Sequence, residues 1–202
     1  MRIISHRGWW LQPDEKNTVP AFRRSIAAGY GTETDIRDLA GRLVVSHDPP
    51  EAEALPWDDL LDLFAGTGLP LAVNIKADGL GPALARALAG RDIAWFAFDM
   101  SGPETVRYAG GGLPFYTRHS DVEPEPILYA EAQGVWLDGF RGDWFDRPVI
   151  ERHLAAGKAV CIVSPELHGR DPRPVWDWLL AMPGDITLCT DHPDRATRMI
   201  SP

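Results

Sequence analysis

The sequence predicts an α/β fold, a compact (β/α)8 TIM barrel with a small hairpin after the second strand. Two observations carry this prediction. Short β-like runs alternate with helix-like stretches along the whole 202-residue chain, a pattern that implies parallel strands joined by crossover helices. Polar, chemistry-bearing residues recur at the C-terminal ends of those runs, where an eight-unit barrel gathers its active site.

The strand candidates are 2–6 (RIISH), 31–37 (GTETDIR), 71–76 (LAVNIK), 94–99 (AWFAFD), 114–118 (PFYTR), 134–139 (GVWLDG), 159–164 (AVCIVS) and 186–190 (ITLCT). Between them lie amphipathic stretches such as NTVPAFRRSIAAG, PWDDLLDLFAG, GPALARALAG, PVIERHLAAG and PVWDWLLAM, several opening on a helix-start signal and closing on glycine. In DIRDLAGRLVVSHD the pair Ala40-Gly41 lets the chain reverse into a hairpin that returns His47 to the barrel mouth. An eight-unit barrel usually takes about 250 residues and at least about 200, so helices and loops must be short. Residues 1–202 read as a single domain, with no repeat, low-complexity tract or linker.

Composition narrows the function classes. Hydrophobic residues make up 45% and charged residues 24%, values of an ordinary globular domain. Twenty Lys+Arg against 29 Asp+Glu give a formal charge of -9, which repels polyanions, so nucleic acid is not expected as a partner. No run approaches membrane-spanning length and the N-terminus has no long apolar stretch, so a cytoplasmic setting without stable membrane association is expected. Cys161 and Cys189 lie in apolar strand-like runs and read as buried free thiols. Oligomeric state is not legible.

Strand side chains alternate faces, so Glu33 and Asp35 point the same way, inward if the strand lines the barrel. Two inward carboxylates repel. Either a divalent cation relieves them, with oxygen ligands that suit Mg²⁺ or Ca²⁺, or they pair with Arg7, Arg37 or Lys76 as a structural network. His6 and His47 are the natural proton carriers, since imidazole titrates near neutrality and phosphodiester hydrolysis needs both a base and an acid. Arg7 and Lys76 bring positive charge to the same mouth, and a guanidinium fork fits two phosphate oxygens.

These residues fall in SHRG (5–8), KNTVPAF (16–22), ETD (33–35), LVVSHD (43–48), NIK (74–76) and TDHP (190–193), and in order and spacing the sequence resembles the glycerophosphodiester phosphodiesterase family across nearly its whole length. The resemblance implies a (β/α)8 barrel with His6 and His47 as the acid/base pair, Glu33 and Asp35 on a divalent metal (Mg²⁺ or Ca²⁺), and Arg7 and Lys76 on phosphate. It also implies cleavage of a glycerophosphodiester to glycerol 3-phosphate and an alcohol, a reaction of lipid metabolism.

One departure bears on the chemistry. The family usually has glutamate as a third metal ligand where this chain has Asn74, and losing a negative ligand weakens a site without removing its oxygen. In SPELHGR (164–170) the expectation is that Glu166 replaces the missing carboxylate, or that His168 and Arg170 hold a second anionic group of the substrate; a surface loop with internal ion pairs is the alternative. Arg118 and Asp138 are weaker candidates for substrate contact, and Trp9, Trp10 and Trp136 could wall the alcohol pocket. The expected partner is a small or polymer-derived phosphodiester. The competing readings are a non-catalytic phosphate-ligand barrel, for which Asn74 speaks and the two histidines speak against, and a phospholipase acting at membranes, against which the acidic balance speaks.

Overall fold

A computed structural model of the chain describes residues 1–200. In chain order the strands are β1 (Arg2–His6), β2 (Gly31–Leu39), β3 (Arg42–Val45), β4 (Leu55–Pro56), β5 (Leu71–Ile75), β6 (Trp95–Phe98), β7 (Tyr116–Ser120), β8 (Gly134–Asp138), β9 (Ala159–Val163) and β10 (Ile186–Thr190). All except β3 and β4 run parallel, side by side in the order β6, β5, β2, β1, β10, β9, β8, β7. The two ends of that series meet only through a bridge between Ala97 and Phe115 and the bond from Ala97 N to Pro114 O, 2.9 Å. The sheet is therefore barrel-like, with a seam where the ladder lapses.

The helices α1 (Val19–Ala27), α2 (Trp57–Phe64), α3 (Gly81–Leu88), α4 (Gly102–Gly110), α5 (Arg147–Ala155), α6 (Arg173–Leu179) and α7 (Pro193–Ile200) follow the strands. Their starts are marked by proline in the first turn of α1, α3, α4, α5 and α6, where the missing N–H is no loss. Asp146 caps α5 by accepting from Val149 N at 3.1 Å. Strands β5, β8 and β10 are buried at every residue, as parallel strands covered on both faces must be. Ile4, Ala72, Phe96, Phe98, Trp136, Cys161, Val163 and Cys189, drawn from six strands, cluster on the enclosed face. Two further clusters fill the space between strands and helices.

Three expectations need correction. The fifth parallel strand begins at Tyr116 rather than at 114, because Pro114 has no N–H for a ladder and offers only its carbonyl. The strict alternation of strand and helix fails once: residues 121–133, between β7 and β8, contain no α-helix. Pro124 and Pro126 fall two apart there, and each disfavours helix for itself and for its predecessor. The periodicity did not single out α4, whose buried side is Glu104, Thr105 and Tyr108 rather than an aliphatic stripe.

The hairpin forms as expected. Strands β2 and β3 pair antiparallel from Ile36–Val45 to Leu39–Arg42, and both Ala40 (φ 49°) and Gly41 (φ 79°) take the left-handed conformation that a tight hairpin requires. Cys161 and Cys189 are free and buried on neighbouring strands, and burial pushes both thiols up.

Candidate active site

The site starts where β1 ends. Arg7 (φ 58°) and Gly8 (φ 84°) both adopt left-handed backbone, which turns the chain sharply after His6. A side chain at Gly8 would put its Cβ 2.7 Å from Cβ of Ala21 on α1, so the HRG turn needs glycine for both conformation and space. The Arg7 N–H donates to Glu33 O at 2.9 Å and reaches Glu33 Oε2 at 3.2 Å, locking this turn to β2.

His6 Nδ1 lies 2.7 Å from Asp191 Oδ1, at the end of β10. Burial opposes ionisation of Asp191, but the hydrogen bond from His6 and the charges of His6 and Lys16 outweigh it and hold the carboxyl below the usual carboxylate range. An ionised Asp191 accepts only, so Nδ1 carries the proton and Nε2 is left for chemistry. Nε2 sits 3.9 Å from Glu33 Oε2.

Glu33 and Asp35 are fully enclosed, side by side on the inward face of β2. Burial, then the charge of Asp35, pushes the Glu33 carboxyl up to about 7, with His6, Arg7 and Lys76 pulling the other way. Asp35 Oδ2 accepts from Asn17 Nδ2 at 2.9 Å and lies 3.0 Å from Arg7 Nε, while Lys76 Nζ is 3.3 Å from Oδ1. Neither cation is aligned for a hydrogen bond: Arg7 Nε and Asp35 Oδ1 are both buried without a partner. Asn74 stands opposite Asp35 in the β2–β5 register, and its Oδ1 is also buried and unpartnered.

Two buried oxygens without a hydrogen-bond partner, on Asp35 and Asn74, stand beside the Glu33 carboxyl, an oxygen donor set that a divalent cation fits, with Arg7 and Lys76 supplying part of the balancing charge. Glu33, Asp35 and Asn74 could hold that ion. Among the described residues no group of three or more His, Cys, Asp or Glu is placed to hold a metal ion, and an ion at Glu33 and Asp35 would take a third protein oxygen from the Asn74 amide.

The hairpin delivers His47. Ser46 N donates to Asp35 O at 3.1 Å, which places His47 one residue beyond a direct backbone link to the acidic pair. The imidazole is 43% exposed, with Nδ1 3.0 Å from Asp48 Oδ1, and Arg37 Nε holds its backbone carbonyl at 3.0 Å. His47 shares a cavity of about 570 Å³ with Arg7, Lys16 and Asn17.

The other expected residues lie elsewhere on the mouth. Glu166 Oε1 accepts from the Thr190 hydroxyl and from Asp191 N at 3.2 Å, bracing the turn that carries Asp191, while Oε2 accepts from the Ser164 hydroxyl. His168 Nε2 is 2.7 Å from Asp138 Oδ1, and Arg170 spans Asp143 (3.2 Å) and Gly139 O (2.6 Å). Arg118 pairs with Asp99 at 2.9 Å and with Glu123, and stacks on Phe140. Trp136 stacks on Phe98 with ring centroids 3.7 Å apart, Trp9 meets Tyr30 edge-on, and the Trp10 ring lies 4.5 Å from Lys16 Nζ.

Asp191 belongs to the TDHP segment and Asn17 and Lys16 to KNTVPAF, yet residue type and spacing assign none of the three a particular role here. Asn17 (φ 60°) accepts from Thr34 Oγ1 while donating to Asp35, and its strained backbone is held by Asn17 N to Arg7 O at 2.8 Å. Its left-handed conformation, which Asn tolerates better than most residues, is the one local signal.

The fold is a barrel-like α/β domain, and at the C-terminal ends of its parallel strands an enclosed acidic pair is flanked by cations and by a histidine oriented by a carboxylate. No family model and no curated protein matches the sequence. Solved structures do match, end to end, and the fold is that of the glycerophosphodiester phosphodiesterases. A structure from Galdieria sulphuraria, provisionally assigned to that family, aligns with TM-score 0.80 at 16% identity, covering 100% of this chain and 98% of that one. The Oleispira antarctica phosphodiesterase in complex with the product sn-glycerol-3-phosphate gives 0.76 at 15%, covering 100% and 97%. The Agrobacterium tumefaciens glycerophosphodiester phosphodiesterase gives 0.70 at 20%, covering 98% and 99%.

Proposed function

We propose that this protein is a metal-dependent phosphodiester hydrolase that cleaves a glycerophosphodiester to glycerol 3-phosphate and an alcohol, with His6 and His47 as its acid/base pair. The observation that carries this is the His6–Asp191 contact of 2.7 Å beside the enclosed Glu33, Asp35 and Asn74 oxygens. A histidine set in one tautomer at the edge of an enclosed acidic pair, with a second histidine on the facing hairpin, supports turnover over binding alone.

Arg7 and Lys76 bind the phosphate and carry part of the charge that grows on its oxygens. Glu33, Asp35 and Asn74 would hold a divalent cation, Mg²⁺ or Ca²⁺, which would supply the remaining positive charge. One imidazole takes the proton from the attacking hydroxyl, which belongs to water, giving glycerol 3-phosphate directly, or to the adjacent glycerol carbon, giving a cyclic phosphate that water then opens to glycerol 3-phosphate. The other gives a proton to the departing alkoxide. Asp191 keeps His6 in the tautomer with Nε2 facing the reacting group, and Glu166 keeps Asp191 in place.

The same proposal takes residues 1–202 as one domain with the eight parallel strands as a (β/α)8 barrel. It takes the substrate as a small or polymer-derived diester, and the setting as cytoplasmic, supported by the two unpaired thiols. No helix among the described residues is long and apolar enough to cross a membrane.

The test is hydrolysis of bis(p-nitrophenyl) phosphate and a panel of glycerophosphodiesters, with and without EDTA, by the parent, His6→Ala and His47→Ala. EDTA-sensitive turnover that both substitutions remove is expected. No turnover of any diester, with or without added Mg²⁺ or Ca²⁺, would overturn the proposal.

A further inference from the structure

We propose that the cavity beside His47 receives the alcohol half of the diester, and that Lys16 selects an alcohol carrying an anionic group. This rests on the phosphodiesterase function above and specifies its substrate class.

The cavity, about 570 Å³, lies between two segments: residues 13–19, bearing Lys16 and Asn17, and residues 45–56, bearing Val45, His47 and Leu55. It is of the size that holds a small organic group. Arg7 and His47 stand on its wall, so a phosphate gripped by Arg7 with its leaving oxygen near His47 has this space for its substituent.

The charges on the wall are not equivalent. Arg7 is compensated by Asp35 at 3.0 Å, and His47 faces Asp48 at 3.0 Å. Lys16 has Asp191 as its counter-charge, but with Oδ2 at 3.9 Å, too far for a hydrogen bond, its N–H donors stay free of it, and Asp191 gives its other oxygen to His6. What anchors the Lys16 ammonium is the Trp10 ring, 4.5 Å away, a contact that fixes the charge without consuming its N–H donors. Its side chain is only 28% exposed, so its field in the cavity is weakly screened. The carboxylate of Glu53 is on the exposed rim, where water and salt screen it. A carboxylate or phosphate on the alcohol therefore meets a part-buried, pre-positioned cation with donors to spare.

The experiment compares kcat/KM of the parent, Lys16→Gln and Lys16→Glu for the glycerophosphodiesters of 3-hydroxypropanoate, propanol and choline. Circular dichroism and thermal melting report the fold of each variant. The parent is expected to prefer the anionic alcohol over propanol by about tenfold, the factor one charge-assisted contact brings. Lys16→Gln should erase that ratio through KM, and Lys16→Glu should turn it toward choline. Equal parent kcat/KM for the anionic and neutral esters, or a ratio unchanged in folded Lys16→Gln, overturns the assignment of Lys16 and leaves the phosphodiesterase function standing. No turnover of the three by a parent that hydrolyses bis(p-nitrophenyl) phosphate overturns the Lys16 assignment alone, and no turnover of any diester overturns both.

Discussion

Nδ1 of His6 and Oδ1 of Asp191 stand 2.7 Å apart, joining the ends of β1 and β10 through side chains where their backbone ladder stops at Ser5 and Thr190. Asp191→Asn keeps the shape but presents an amide that can offer its N–H to Nδ1 and so favour the wrong tautomer. Turnover is expected to fall by about 10²-fold or more, with KM little changed. Asp191→Glu should recover part of it. Steady-state kinetics on one glycerophosphodiester decides, and equal kcat in the parent and Asp191→Asn would remove Asp191 from its positioning role.

Removing either imidazole should be more severe. His6→Ala and His47→Ala are each expected to lower kcat by about 10²- to 10⁴-fold, because each deletes one proton transfer. His47 is exposed on the hairpin, so its variant should keep the parent melting temperature, which differential scanning calorimetry can verify.

Ligand charge sets divalent affinity in oxygen sites. Asn74→Glu adds a carboxylate opposite Asp35 and should tighten Mg²⁺ or Ca²⁺ binding by about tenfold in a calorimetric titration. Glu166→Gln should leave that affinity as it is, since both Glu166 oxygens are occupied by Ser164, Thr190 and Asp191 N.

Away from the site, His153 on α5 is buried with Nε2 3.0 Å from His119 Nδ1 and Nδ1 2.9 Å from the Tyr129 hydroxyl. Burial, then the neighbouring His119 and Arg152, pulls the His153 imidazole down to about 4 from an ordinary 6.5. The unfolded chain therefore binds a proton that the folded chain refuses between these values. Stability should decline as pH falls from 6.5 toward 4, by at most about 1.4 kcal/mol per pH unit from this group, and level off below. Urea unfolding across that range should show a shallower decline in His153→Gln.

Gly8→Ala is expected to destabilise by about 1–3 kcal/mol, combining a left-handed backbone with the 2.7 Å approach to Ala21. The midpoint of chemical denaturation measures it.

Much of this site follows from residue spacing alone. The two-residue step from Glu33 to Asp35 fixes a shared inward face, and Ala40-Gly41 fixes the reversal that returns His47. What spacing could not convey is pairing across the barrel. Asp191 is 185 residues from His6, and only closure of the strand order brings them together. SPELHGR is dense in charge, and here Glu166 reaches Thr190 and Asp191 N while His168 and Arg170 reach Asp138 and Gly139 O, contacts between strands that local sequence does not encode. Helix α4 was illegible for a related reason: its inward Glu104 is satisfied by Gly79 N at 2.9 Å, a contact that local periodicity does not encode.

Between β6 and β7 the wall is held shut chiefly by side chains. Phe96 and Tyr116 stack across that gap with centroids 3.7 Å apart, where neighbouring strands elsewhere share a run of backbone bonds. Aromatic rings can slide and part without breaking a ladder, so solvent deuterium should reach the amides of this stretch sooner than those of β1 or β10.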